Sequence, residues 1–345
     1  RKKSLASLIA QQGAQGPTEV QIRLASTPNI PELLQTELLQ GGDVSVHIAL
    51  AGNVSLSHES LEELAGKNLD AINEALAGNE CLSNELQIQL YETGLEKIRH
   101  LLAKNRGLNP GLQQRLAADE DGAIRASLAR NPSVNSHCQI TLMTYPDDDY
   151  PKFTEHHPIM VLLRNPSLTA EIMHLMAKSR NRDILQNLAA NTSLAVDLME
   201  KIMSQLAATT EAEEAEMVFP AHFKFSEAFK EAFAESSGND HEVMVNLARN
   251  KSLPEQLQQE LMKGDESGYD FFGRNTSGIH VALASNTSIC EDVQTQLSRK
   301  RSARPFGFTV ANSKYSNEPI LQALAGNTAI ISAQQVVLAE EENED

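Results

Sequence analysis

Residues able to do chemistry are sparse in this chain and gathered in a few places. His156-His157 follow Asp147-Asp148-Asp149 and carry metal-type ligand atoms, but no His-x-x-x-His spacing fixes them into a coordination sphere. His156, His157 and His222 are the acid or base groups that stand near aromatic residues. Cys81, Cys138 and Cys290 are far apart and odd in number, which fits neither a disulfide framework nor a Cys-x-x-Cys metal site. They read as small core residues in a protein of the reducing cytoplasm. The one dense basic run, Arg299-Lys300-Arg301-Ser302-Ala303-Arg304, suits an acidic segment or a phosphate, or else a solvated loop. No Gly-rich phosphate loop, nucleophile elbow or zinc motif occurs. The expectation is therefore a non-enzyme with no cofactor, no metal and no catalytic residue.

What positions these groups is a repeat. A Leu-Ala-x-Asn step followed three residues on by an aliphatic residue recurs ten times, at Leu24, Leu50, Leu76, Leu102, Leu128, Leu162, Leu188, Leu247, Leu283 and Leu324, and five of the nine intervals are 26 residues. A unit of that size cannot bury its own apolar face, so copies must stack and share one core. With each Leu as zero, position +6 is aliphatic throughout, +14 is Leu, Ile or Met throughout, and −4 is Val or Ile in all but Pro158. The −4 to +1 spacing places apolar groups on one face of a helix, A. A capped second helix, B, follows, expected to start at Ser57, Ser83, Asn109, Asn135 and Thr169. The fold class is all-α: a solenoid of about ten two-helix repeats.

The Asn at +3 is present in nine copies, Asn53, Asn79, Asn105, Asn131, Asn165, Asn191, Asn250, Asn286 and Asn327, with Thr27 in the first. Asn tolerates the left-handed backbone that ends a helix, and its amide can bond the tight corner before helix B. These residues read as an internal structural ladder between turns. The alternative is a groove that reads an extended partner, one Asn per repeat.

The stretch Leu116-Ala117-Ala118-Asp119-Glu120-Asp121-Gly122-Ala123-Ile124-Arg125-Ala126-Ser127-Leu128-Ala129-Arg130-Asn131-Pro132-Ser133-Val134 resembles the bacterial leucine-rich repeat variant family, related in architecture to HEAT and armadillo solenoids. Its Asp-x-Asp, Ile-Arg and Leu-Ala-x-Asn-Pro elements carry the likeness, which extends in weaker form from about residue 19 to 339. The resemblance implies a right-handed superhelix in which an α-helix alternates with a shorter, tighter helix. The longer repeat here favours two full α-helices, and the iron–sulfur cysteine cluster of one branch of the family has no counterpart.

Four intervals, of 34, 59, 36 and 41 residues, exceed the period by 8, 33, 10 and 15. The −4 to +14 block survives each time, so the extra residues enter between helix B and the next helix A, on one edge of the stack. The insertions cover about residues 143–157, 203–240, 263–278 and 298–316. Fourteen of the fifteen aromatic residues lie in them, Tyr91 being the exception. They include Tyr145, Tyr150 and Phe153; Phe219 and Phe223, with Phe225, Phe229 and Phe233 on one face of an amphipathic helix; Tyr269, Phe271 and Phe272; and Phe306, Phe308 and Tyr315. Aromatic rings anchor interfaces at low entropy cost, but they also build satellite cores beneath long loops.

The formal net charge of −17 disfavours nucleic acid, which needs a basic face, and no stretch approaches the ~18 apolar residues of a membrane span. Residues 1–18 are expected to form an N-terminal capping helix, 19–339 one elongated repeat domain, and 340–345 a disordered acidic tail. The functional expectation is a bacterial interaction scaffold that binds a protein or peptide, of basic character, through the inserted aromatic edge together with Arg299, Lys300 and Arg301. An enzyme or small-ligand cleft at the insertions, and self-association of a structural repeat protein, are the alternatives.

Overall fold

The computed structural model describes residues 16–145, 156–207, 240–264, 277–298 and 318–328. Among them the chain is all-helical, with nineteen α-helices and no strand, and no helix is long and apolar enough to cross a membrane. These residues divide into two compact units, one up to Tyr145 together with His156–Leu162, the other from Leu163 onward.

The first unit holds α1 (Thr18–Ala25), α2 (Glu32–Gly41), α3 (Val44–Ala51), α4 (His58–Gly66), α5 (Asp70–Ala77), α6 (Asn84–Glu92), α7 (Glu96–Lys104), α8 (Pro110–Ala117), α9 (Gly122–Arg130) and α10 (Ser136–Thr144). The division falls at the end of α11 (Pro158–Leu163). The second unit holds α12 (Ala170–Met176), α13 (Arg182–Ala189), α14 (Val196–Ala207), α15 (Asp240–Arg249), α16 (Glu255–Gly264), α17 (Ser277–Ser285), α18 (Glu291–Ser298) and α19 (Glu318–Ala325). Odd numbers are helices A of the register and even numbers are helices B. Within each unit like packs on like: α1 on α3, α3 on α5, α5 on α7 and α7 on α9; then α13 on α15, α15 on α17 and α17 on α19. The even helices form a second layer, with α2 on α4, α8 on α10 and α16 on α18.

The aliphatic rows explain the layering. From the second copy on, the register-zero Leu is fully buried, and the +6 and +14 residues are buried wherever they are described. Burying each such side chain stabilises by roughly 1.5–3 kcal/mol, and the partners come from adjacent copies. The first copy departs from this: Leu24 is half-buried and Val20, at −4, is exposed.

Helix starts follow side-chain chemistry. Ser57, Ser83, Asn109 and Asn135 each accept a backbone N–H of the helix B that they open, while Thr169 takes that position without a side-chain cap bond. Asp43, Asp121 and Asn181 do the same for helices A. Leu69 and Leu95 occupy the equivalent position before α5 and α7, make no cap bond and are exposed.

Two expectations need correction. The ladder Asn does not adopt the left-handed conformation: Asn105 and Asn131 sit at φ −69° and −68° in extended backbone, so the residue serves through its amide. Of the three cysteines, all free thiols, only Cys138 is a core residue; Cys81 is exposed and Cys290 half-buried. As the longer repeat leads one to expect, the second helix is an ordinary α-helix in every pair where it is described.

Candidate functional site

Most residues proposed for partner binding lie outside the described residues: Tyr150, Phe153, Phe219, Phe223, Tyr269, Phe271, Phe272, Arg299, Lys300, Arg301, Phe306 and Phe308. So do Asp147, Asp148, Asp149 and His222, most of the expected 1–18 helix and the acidic tail. Tyr145 is described. It follows the last residue of α10, half-buried, with the Arg125 guanidinium 3.8 Å from its ring centre. Among the described residues no cluster of three or more His, Cys, Asp or Glu side chains is placed to hold a metal.

The nine register asparagines are all buried. In the first unit the Nδ2 of Asn53, Asn79, Asn105 and Asn131 donates to two carbonyls of the preceding copy, 28 and 26 residues back, at 2.7–3.1 Å. In the second unit Asn191 repeats this on Leu163 and Asn165. Asn250, Asn286 and Asn327 make the same pair of bonds over separations of 61 and 59, 38 and 36, and 43 and 41 residues. In the eight copies from Asn53 to Asn286 the Oδ1 accepts the N–H two residues on, that of Ser55, Cys81, Gly107, Ser133, Ser167, Ser193, Ser252 and Ser288. The amide is thus used at both ends on buried backbone, sharing the preceding Asn carbonyl with a backbone N–H of the corner, as with the Leu82 N–H on Asn79.

A second row escaped sequence reasoning. Position +11 carries Gln35, Gln87, Gln113, Gln139, Gln258 and Gln294, all buried. Each Nε2 donates to the +6 carbonyl of its own copy. Those of Gln87, Gln113 and Gln258 also reach forward to Gly107, Ser133 and Ser288. Their Oε1 atoms accept the N–H of Asn109, Asn135 and Cys290, and that of Gln35 accepts from Ser57. The Asn bonds run backward to the preceding copy, and those of Gln35, Gln87, Gln113 and Gln258 run forward to the next. The signal was a polar residue recurring on a face that otherwise holds Leu61, Met173 and Met199.

The repeat element that suggested a family does local structural work. Asp119 is buried; its Oδ1 accepts the Asp121 N–H and its Oδ2 pairs with Arg99 at 3.1 Å. Arg125 donates to the Asp119 and Glu120 carbonyls at 2.5 and 3.1 Å, pinning the connection between α8 and α9. Nearby, the Ser127 hydroxyl lies 3.2 Å from His100 Nδ1. Burial pushes the His100 pKa down, with Lys104 adding to the effect. Ser127 is buried, so this pair cannot meet a substrate as nucleophile and base. Burial also pushes the Cys138 thiol up, away from the reactive thiolate.

The second unit carries a polar cleft of about 390 Å³ on its A-helix surface. Arg164 and Arg249, each at +2 of its copy, stand in its wall with Gln186, Thr192, Glu242 and Asn246, and the small Ala190 holds the +2 position between them. Asn246 Nδ2 donates to the Gln186 carbonyl at 3.0 Å, joining α15 to α13 beneath the cleft, and the ladder residue Asn250 completes the lining. Comparison with protein-family models, curated proteins and solved structures finds no match to this chain.

Proposed function

We propose that this chain is an α-solenoid of the leucine-rich repeat variant type, ten helix pairs wound into a right-handed superhelix, that works as a protein-interaction module. Its partner is a protein or peptide held by the aromatic residues of the inserted connections. The observation that carries this reading is the indifference of the ladder to insertion length. Asn250, Asn286 and Asn327 reach the same two carbonyls of the preceding copy as Asn53 does, although 33, 10 and 15 residues have been added between the copies. A frame that accepts such additions without changing its own bonds is free to display them, and fourteen of fifteen aromatic residues are placed there. Three free thiols suit a reducing compartment.

The test is affinity capture with the whole chain and with a Phe271→Ser, Phe272→Ser, Phe306→Ser, Phe308→Ser variant of unchanged helical content and Tm. Loss of the wild-type partners supports the reading. Their retention by the folded variant refutes it.

A further inference from the structure

In the cleft between the second unit's A helices two cations, Arg164 and Arg249, line a shared polar hollow. Position +2 is the last turn of helix A, where the helix dipole favours any cation. Four of the ten copies carry a cation there, Lys104 and Arg130 in the first unit and Arg164 and Arg249 in the second; what sets the second pair apart is that both line one cleft. Both arginines are exposed, and neither has a carboxylate within ion-pairing distance among the described residues. Between them Ala190 leaves room, and Gln186, Thr192 and Asn246 supply amide and hydroxyl groups. The floor is stiff, since Asn246 and Asn250 both bond backward to copy seven.

We infer that this cleft binds an acidic peptide segment. Its carboxylates pair with the Arg164 and Arg249 guanidiniums, whose planar forks match a carboxylate's two oxygens, and its backbone runs over Ala190 against the polar wall. The volume lies near the lower end of the roughly 300–1,000 Å³ typical of ligand sites, and the cleft is open along the helix surface, which suits a chain passing through. Glu242 opposes the ligand charge from the wall and limits affinity. The inference uses none of the inserted aromatic residues, so its failure leaves the preceding proposal standing.

The experiment is fluorescence anisotropy of the whole chain with a labelled nine-residue peptide alternating Glu and Ser, beside the same peptide with Gln for Glu. The Glu peptide should bind at least about tenfold more tightly. Arg164→Gln and Arg249→Gln should each weaken it about tenfold, Ala190→Leu should block it without a change of charge, and Glu242→Gln should tighten it. All four are exposed or wall positions, and an unchanged Tm checks the fold. Equal binding of the two peptides, no binding by the wild-type chain, or wild-type affinity in the double arginine variant overturns the proposal. So does competition by free glutamate at the peptide's own concentration, which would make the site one for a small dicarboxylate. Tight binding that appears only after residues 340–345 are removed would make the chain's own acidic tail the occupant, and also overturns it.

Discussion

Residues 16–145 keep the 26-residue period without interruption, whereas three of the intervals among residues 163–328 are lengthened, yet both regions use the same bonds. Every change in length falls between helix B and the next helix A. The corner between A and B carries the Asn and Gln bonds of the ladder, and no length change falls there. The connection back to helix A is pinned differently each time: Gln21 reaches the Gly16 carbonyl, His47 reaches Leu39, and Arg125 reaches Asp119 and Glu120. A uniform corner propagates register, and individually anchored connections can vary in length because closing a longer loop adds only about 0.6 kcal/mol per doubling.

The sharpest way to break this contrast is to insert Gly-Ser-Gly-Ser at each kind of site in the uninterrupted region. Between Arg106 and Gly107 it should break the Gly107 N–H bond to Asn105 and displace Gly107 and Asn109 from Gln87, with a loss of several kcal/mol and a fall in Tm of about 10 °C or more. Between Gly94 and Leu95 it should shift Tm by only about 2 °C, since that turn carries no ladder bond. Comparable losses from both inserts, followed by circular dichroism, would remove the distinction.

Next in size are Asn105→Ala and Asn286→Ala, one from each region. Each removes the side-chain donor from two buried carbonyls, one of which keeps a backbone N–H, and orphans one N–H, and should lose about 1–3 kcal/mol in urea unfolding. Equal losses would show that insertions leave the ladder's strength unchanged. Gln113→Met should cost less, about 1 kcal/mol, because copies six and seven carry Met173 and Met199 at that offset. Leu95→Asp should stabilise by about 0.5–1 kcal/mol, by restoring the cap that Asp43 and Asp121 provide elsewhere.

The smallest effect distinguishes the regions by pH. His100 has its folded pKa depressed below 6.5, so above pH 6.5 both states are neutral and it contributes nothing. Below that value the unfolded chain takes up a proton that the native state resists, and stability falls as acid is added until the folded pKa is reached. His100→Gln, which copies Gln186 at the same position of the second unit, should flatten that part of the Tm profile.

Much of the fold was legible because a stacked repeat writes its core into the sequence ten times: Leu50, Leu76 and Leu102 must all be buried, or none could be. The Asn row was visible for the same reason. The Gln row was masked by Leu61, Met173 and Met199 at its offset, because a hydrogen-bonded amide and an apolar side chain can fill the same interior position. The cleft at Arg164 and Arg249 could not be read at all, since the two residues are 85 positions apart in sequence.

Taken by itself, the order of residues determined which side chains are apolar, where the period holds and where it is stretched, and hence that helices must alternate and share a core. Only the tertiary structure decided what the polar interior does: which carbonyl each amide meets, that Asn105 is extended rather than left-handed, and which distant arginines face one hollow. The physical reason is that burial follows from a side chain's own chemistry, repeated locally, while a hydrogen bond or a shared cleft depends on what stands opposite, and that is set by packing between copies.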